Sequence, residues 1–172
     1  MDERTAERQL TAWVALVEAH SAAMDGVEQE LVAETGLALS WHEVLVRLAR
    51  AEGGAMRMQD LARAVLLSKS GLTRLADRMV ASGLIERSAC GADRRGTYAV
   101  ITERGREALD RATPVFAAAV QRNFARHLQP TELEGLAGSL RKVARGQGIP
   151  DDESCTAVVA EASRAASTAP VG

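Results

Sequence analysis

The sequence is poor in aromatic residues, cysteine and proline. Trp, Tyr and Phe make up 3% of its 172 residues, so Leu, Val and Ala must fill any hydrophobic core. The two cysteines, Cys90 and Cys155, lie far apart, which excludes a disulfide framework and offers no metal-ligand spacing. Only four prolines in an alanine-rich chain favour helix over sheet.

Long apolar runs are also lacking. No stretch approaches the roughly 20 apolar residues that a membrane-spanning helix needs. The charged start, MDERTAERQ, lacks the apolar segment of a signal peptide. We therefore expect a cytoplasmic protein with a reducing environment around its thiols.

Recognisable catalytic motifs are missing from the sequence. We find no nucleophile with a base at a known spacing, no phosphate-cradling loop and no pair of metal ligands at helical spacing. The three histidines, His20, His42 and His127, are scattered. The sequence therefore predicts neither an enzyme nor a cofactor or metal site.

The charge of the chain is unevenly distributed. Its net charge is −2. Residues 63–106 nevertheless hold nine Lys or Arg against four Asp or Glu, a local charge of +5. Residues 1–62 are acidic, with five against eleven. A local basic block is what contact with phosphate groups requires.

Long helices are predicted at both ends of the chain. Residues 5–34 carry apolar side chains at helical spacing, and Gly36 ends the pattern. Thr102 is expected to cap a helix over about 103–127, and Gln129-Pro130 opens another. Near the middle, Ser40 and Glu43 form a capping-box pattern that predicts a helix from 41 to about 50.

The middle of the chain carries the pattern of a winged helix-turn-helix. A short helix over 59–66 is followed by a second that begins at Ser68 and ends at Gly83. Two strand candidates, 84–87 and 97–101, are joined by a turn with two arginines. A further short strand is expected over 56–58. The predicted fold class is mainly α with a small two- or three-stranded β wing, flanked by N- and C-terminal helices.

The second helix of the pair has a polar and basic outer face. In a winged helix-turn-helix this helix lies in the DNA major groove, where Arg, Ser and Thr read bases. The wing arginines, Arg94 and Arg95, are placed to enter the minor groove, and Arg87 to meet a phosphate or an acidic neighbour. The alternative is a solvated face with no partner. The helix candidates for DNA contact are Ser68, Lys69, Ser70, Thr73, Arg74 and Arg78.

The same region resembles the MarR family of bacterial transcription regulators. The matching motifs are LTRLADRMVASGLIER, the DRR of the wing, and TERG at the start of a long helix. The resemblance implies an obligate homodimer that binds a palindromic operator. A response to oxidation or to a small ligand, often a phenolic or otherwise aromatic acid, is implied as well. It also implies that Asp93 pairs with a wing arginine and fixes the wing shape.

The resemblance and the helix pattern together divide the chain. Residues 5–36 and 103–146 are assigned to a helical dimerisation region, because their long apolar stripes exceed what one small module covers. Residues 37–102 form the DNA-binding lobe, and 147–172 form an Ala- and Ser-rich acidic tail.

In the family, effectors bind between the dimer helices and the DNA-binding lobe. The residues this implies for a pocket are Trp13, His20, Trp41 and His42. The alternative for the tryptophans is core or interface packing, and for the histidines a surface or hydrogen-bonded position. Members that sense peroxide have a cysteine near the N-terminus, which this chain lacks before Cys90.

The predicted function is that of a DNA-binding regulator, a repressor released from its operator by a small effector. The alternative is a winged-helix module that acts through protein–protein contacts without specific DNA binding.

Overall fold

The structure, a computed structural model, is mostly helical with one three-stranded antiparallel sheet. It describes residues 3–65, 67–90 and 93–149, without the side chains of residues 3, 89, 90 and 93–96. The helices are α1 Glu3–Thr35, α2 Leu39–Arg50, α3 Met58–Ala64, α4 Lys69–Ala81, α5 Glu103–Asn123 and α6 Pro130–Gly146. The strands are β1 Ala55–Arg57, β2 Ile85–Cys90 and β3 Asp93–Ile101. Short 3-10 turns occupy Glu52–Gly54 and Ala125–His127. The predicted fold class is confirmed.

Helix α1 is long, and only its C-terminal part is buried. It ends where predicted, at Gly36, whose φ of 71° is a left-handed conformation that favours glycine. Val27 and Leu31 are buried, and this part of α1 packs along α5. The N-terminal half of α1 is exposed in the single chain, including Leu10 and Trp13.

The start of α2 differs from the prediction. The helix begins at Leu39, and its N-cap, Ala38, makes no side-chain capping bond. The predicted capping box of Ser40 and Glu43 is therefore wrong. Instead, the amide of Leu39 donates to Oε2 of Glu28 in α1 at 2.6 Å. A carboxylate from another helix thus takes the place of a local hydroxyl, because helix N-termini favour negative charge.

The hydrophobic core lies mainly within residues 37–102 and continues along α5. Helix α2 runs through its centre, with α3, α4 and the sheet around it. The largest fully buried side chains are Leu31, Leu45, Leu48, Leu61, Leu72, Met79, Ile85 and Val44. Leucine, alanine and valine supply most of the buried hydrophobic residues, as the low aromatic content predicts.

Antiparallel pairing orders the sheet β1-β3-β2. Arg57 of β1 faces Tyr98 of β3, and Ile85 of β2 faces Ile101 at the other end. The hairpin of β2 and β3 is the wing, and β1 joins it to the base of α3. All three strands overlap the predicted ones.

Thr102 joins the wing to α5. Its hydroxyl accepts from the amide of Gly105 at 3.0 Å, which is the predicted helix cap. The same hydroxyl lies 2.7 Å from the carbonyl oxygen of Gly83, to which it donates. Gly105 packs so closely on the carbonyl of Leu84 that a Cβ there would collide with it. The start of α5 is therefore held against Gly83 and Leu84, which follow the end of α4.

The last helix, α6, carries none of the core. Helix α5 ends at Asn123, earlier than the predicted 127, and a 3-10 turn follows. Gln129 and Glu132 form a capping box at the start of α6, and Pro130 occupies its first turn as predicted. No described residue of α6 is buried. Most of the predicted tail, 147–172, lies outside the described residues.

Candidate nucleic-acid interface and adjoining cavity

The N-terminus of α4 is capped by Ser68. Its Oγ accepts from the amide of Gly71 at 3.1 Å and lies 3.2 Å from Oγ of Ser70. The hydroxyl of Thr73 donates to the carbonyl of Lys69 at 2.8 Å. These bonds fix the first turn of α4, so Ser68 caps the helix at the position where the sequence predicts its start.

The outer face of α4 is exposed and basic. Leu72, Leu75 and Met79 point into the core, so the helical repeat turns the intervening residues to solvent. Within the described part of the chain, the three cations of this face form no ion pair. All six helix candidates from the sequence are exposed: Ser68, Lys69, Ser70, Thr73, Arg74 and Arg78.

Arg87 joins the wing to α4. Its Nη2 lies 2.9 Å from Oδ1 of Asp77 and donates to the carbonyl of Thr73 at 3.3 Å. Arg87, at the base of the wing, therefore has an acidic neighbour, one of the two partners predicted for it. Because β2 carries Arg87 and α4 carries both partners, this contact links the wing to α4.

A second contact braces the other edge of the wing. Nε of Arg57 donates to the hydroxyl of Tyr98 at 2.9 Å, and its guanidinium lies 5.6 Å from the ring centroid. This arrangement has cation–π geometry. The contact between Arg57 and Tyr98 could not be predicted from the sequence, because the two residues are distant in the chain and meet only through the register of β1 and β3.

The backbone of the predicted wing residues Asp93, Arg94 and Arg95 belongs to β3. Their side chains lie outside what the structure describes. The assigned roles, minor-groove contact for the arginines and positioning for the aspartate, stay predictions.

A cavity of about 330 Å³ lies between α1, α2 and α5. Eight of its ten lining side chains are apolar, and the two polar ones come from α2. The lining residues are Ala23, Met24, Val27, Leu39, His42, Glu43, Val46, Phe116, Val120 and Phe124.

The structure brings one of the four predicted pocket residues to this cavity. His42 lines it, and its ring lies 4.5 Å from that of Phe116. Trp41 is partly buried against the core. Trp13 and His20 are exposed on α1, and neither they nor Trp41 line the cavity.

Burial changes the ionisation of both polar cavity residues. His42 is 3% exposed, and desolvation lowers its pKa to about 4, so its imidazole is neutral at pH 7. Nε2 of His42 is buried with no hydrogen-bond partner among the described residues. Desolvation raises the pKa of Glu43, against a smaller opposing effect of Arg47.

Polar contacts hold α1 to α5 beside the cavity. The guanidinium of Arg122 pairs with the carboxylate of Glu30, and Nδ2 of Asn123 donates to Oε1 of Glu30 at 2.8 Å. The bonds from Arg122 and then Asn123 lower the pKa of Glu30. Asn123 also lies where a Cβ on Gly26 would be, so glycine allows the two helices to approach.

The sequence and the fold of this chain are similar to those of known winged-helix regulators. A family model described as "MarR family" matches residues 35–96. The solved structure of AbsC, a MarR family transcriptional regulator from Streptomyces coelicolor, is 36% identical with a TM-score of 0.75. The match covers 80% of this chain and 93% of AbsC. The chain belongs to the MarR family.

A second MarR family regulator and an HTH-type regulator are also similar to this chain. Sco3205 from Streptomyces coelicolor, solved in complex with DNA, is 30% identical with a TM-score of 0.76; the match covers 82% of this chain and 88% of Sco3205. The HTH-type transcriptional regulator YkoM of Bacillus subtilis (strain 168) is 30% identical over 89 residues. That match covers 52% of this chain and 57% of YkoM. These relatives are transcriptional regulators, not enzymes.

Metal-ligand clusters and membrane-spanning helices are both absent from the described residues of this MarR-family chain. No group of three or more His, Cys, Asp or Glu side chains there is arranged to hold a metal ion. No helix in the same residues is both long and apolar enough to cross a bilayer.

The sequence analysis missed the α5 side of the cavity. Phe116, Val120 and Phe124 recur at intervals of four residues and so share one face of the helix. The chain contains only these two phenylalanines. Their spacing could have indicated an aromatic side of a cavity. The opposite side, formed by α2, could be identified only from the structure.

Proposed function

We propose that this MarR-family protein is a transcriptional repressor that binds a palindromic operator as a homodimer and is released by a small ligand. The observation that carries the proposal is the exposed basic face of α4, fixed to the wing through Arg87 and Asp77. This arrangement presents a helix and a hairpin on one side of the lobe.

The exposed face of α4 suits the DNA major groove. Arg74 and Arg78 reach outward one turn apart, and arginine forms bidentate hydrogen bonds to guanine. Lys69 lies in the first turn, where free amides and the helix dipole favour a phosphate. Arg94 and Arg95 on the wing are proposed to contact the adjacent minor groove, with Asp93 positioning one of them.

A homodimer is supported by the apolar surface of the terminal helices. In the single chain, Leu10 is 65% exposed, Trp13 63% and Val143 60%. Val14 and Val17 are also exposed on α1, and Leu140 on α6. Several exposed apolar side chains on one helix mark an interaction site, and a second copy supplies the same side chains. The division into dimerisation helices 5–36 and 103–146 and DNA-binding lobe 37–102 follows from this proposal.

Two-fold symmetry connects the dimer to a palindrome. Each α4 reads one half-site, and the half-sites lie about 34 Å or a multiple apart. A wrong distance between the two helices therefore weakens binding to the operator.

The cavity supports regulation by a ligand. Its walls come from α1 and α5 of the proposed dimerisation region and from α2 of the lobe. A ligand there contacts both parts and so affects their relative orientation. It acts as an effector only when it binds the DNA-free state more tightly than the DNA-bound state.

Selection of genomic DNA fragments with the purified protein tests the proposal. We expect the recovered fragments to share a palindromic sequence and the complex to contain two protein chains. A folded dimer that enriches no sequence would instead favour a module that acts through protein–protein contacts.

A further inference from the structure

Thr73 lies on the outer face of α4, one helical turn after Lys69, the first residue of the helix. Its side chain is exposed to solvent. The N-terminal residues of a recognition helix are the ones that contact base edges in the major groove. Thr73 is therefore placed to meet a base when α4 binds DNA, and in this respect the inference below rests on the proposed function.

The hydroxyl group of Thr73 is turned back toward its own helix. It donates to the carbonyl oxygen of Lys69, four residues earlier, at 2.8 Å. A hydroxyl group carries one proton, so this bond uses its only donor. The methyl group on the same Cβ points in another of the staggered directions. We infer that Thr73 recognises a thymine of the operator through apolar contact between its methyl group and the C5-methyl group of the base.

Arg87 holds the backbone of Thr73 in the same place. Its Nη2 donates to the carbonyl of Thr73 at 3.3 Å and lies 2.9 Å from Oδ1 of Asp77, one turn later in α4. The carbonyl and the hydroxyl of Thr73 are therefore both engaged within the protein. Because a β-branched side chain is also stiff at χ1, the methyl group is presented in a fixed direction before DNA binds.

The other hydroxyl groups at the start of α4 also have partners within the protein. Oγ of Ser68 accepts from the amide of Gly71 at 3.1 Å and lies 3.2 Å from Oγ of Ser70. Hydrogen bonds to bases are then left mainly to the cationic side chains of this face, which suit guanine. Thymine is distinguished from cytosine in the major groove by its C5-methyl group, which an apolar contact detects. Thr73 thus adds a preference that Lys and Arg do not supply.

Replacement of thymine by uracil tests this contact. Deoxyuridine keeps every hydrogen-bonding group of thymidine and lacks only the C5-methyl group. Each thymine of the operator obtained by the DNA selection is replaced in turn, symmetrically in both half-sites, and fluorescence anisotropy measures the affinity of the wild-type protein. We expect one thymine per half-site at which the symmetric replacement weakens binding about tenfold, because each buried methyl group contributes roughly three- to fourfold.

Two variants assign the sensitive thymine to Thr73. Thr73→Val has the same shape, keeps the methyl group and removes the hydroxyl, whereas Thr73→Ser keeps the hydroxyl and removes the methyl group. At the sensitive position, Thr73→Val should retain the preference for thymine over uracil and Thr73→Ser should lose it. Circular dichroism checks that both variants are folded.

Thr11→Ser is the matched control. Thr11 is exposed on α1 and donates in the same way to the carbonyl of Glu7 at 2.9 Å, but it lies outside α4. Its replacement removes a methyl group from a threonine of the same geometry. The preference for thymine over uracil should therefore be unchanged in Thr11→Ser.

Three results would overturn the inference. The first is a wild-type protein that tolerates uracil at every thymine of the operator, and the second is a thymine preference that persists in Thr73→Ser. The third is loss of operator affinity in Thr73→Val with full affinity in Thr73→Ser, which would show that the hydroxyl reads the base. Intact binding to the unsubstituted operator with any of these results refutes methyl recognition alone. A folded dimer that binds no DNA sequence specifically refutes the proposed function, and methyl recognition with it.

Discussion

Nη2 of Arg87 in the wing lies 2.9 Å from Oδ1 of Asp77 in α4. The same nitrogen donates to the carbonyl of Thr73, one turn earlier in α4. The two elements that we propose contact DNA are thus joined through a side chain that itself need not touch DNA. The ion pair of Arg87 and Asp77 lies at the protein surface, so its contribution to folding stability is small. Its effect on the angle between the wing and α4 is the property to test.

Replacement of Arg87 by alanine should reduce operator affinity strongly and folding stability only slightly. We expect the free energy of unfolding to fall by no more than about 1 kcal/mol, because the ion pair is exposed. Operator affinity should fall roughly three- to thirtyfold, since the wing loses its fixed angle to α4. Urea unfolding and fluorescence anisotropy measure the two effects.

The matched control for Arg87→Ala is Arg63→Ala. Arg63 also pairs with an aspartate, Asp60, but both residues belong to α3 and the pair does not reach the wing. Its loss should leave operator affinity unchanged. Equal effects of the two substitutions on operator affinity would show that the contact between Arg87 and α4 does not contribute to DNA binding.

Arginines of the helix and of the wing should have different roles. We expect Arg74→Ala to cost about 1–3 kcal/mol of operator binding and to relax sequence preference at one position, because a bidentate base contact is lost. Arg94→Ala and Arg95→Ala should weaken operator binding while the dimer stays intact. Binding to a panel of operators with single base changes measures both effects.

The exposed Arg111 on α5 supplies the control for these arginines. Its replacement by alanine removes the same charge from a helix outside the DNA-binding face. Loss of affinity with Arg111→Ala that equals the loss with Arg74→Ala would indicate general charge attraction instead of base recognition.

The stability of the protein should depend on pH through His42. Its pKa is about 4 in the folded state and about 6.5 when unfolded, so the unfolded chain binds the extra proton between these values. Stability should therefore fall as the pH drops from about 7 to about 4, by at most about 3 kcal/mol. Urea unfolding at several pH values measures it.

The variant His42→Phe isolates this contribution. Glu43 also titrates near the cavity, and its raised pKa acts in the opposite direction, because the folded state holds that proton longer. Both proteins contain Glu43, so subtracting the unfolding free energy of His42→Phe from that of the wild type removes the contribution of Glu43. A difference that stays constant from pH 7 to pH 4 would contradict the depressed pKa of His42.

The dimer should depend on the exposed apolar face of α1. Trp13→Glu places a charge in the centre of that face, so we expect mainly monomer by sedimentation velocity and at least about tenfold weaker operator binding. Ala15→Glu is the control, because two residues turn the side chain about 200° around the helix from Trp13, to the opposite and exposed side of α1. A dimer that survives Trp13→Glu would locate the interface elsewhere.

Local patterns in the sequence were sufficient for most of the fold. Helix periodicity, the caps Ser68 and Thr102, and the alternation in β3 each depend on residues close together in the chain. The MarR-like motifs lie in this same region. The basic outer face of α4 could be predicted for the same reason, since the buried positions Leu72 and Met79 fix the helix orientation.

Features made by distant residues were not predictable in this way. The cap of α2 comes from Glu28, eleven residues before Leu39 and on another helix, and it replaced the expected local capping box. The cavity joins α5 to α2, so Phe116 meets His42 only after folding. Helical spacing marked Trp13 and His20 as apolar-face residues, but it did not show how far along α1 the cavity lies.

The salt dependence of operator binding tests the central claim most directly. The protein is titrated into a labelled operator fragment, obtained by the DNA selection, at several salt concentrations between roughly 50 and 200 mM. If α4 and the wing contact the DNA backbone, the affinity should fall at least about a hundredfold across this range, through release of counter-ions. An affinity that does not change with salt, or no binding by a folded dimer, would contradict the assignment of these elements as a DNA-binding surface.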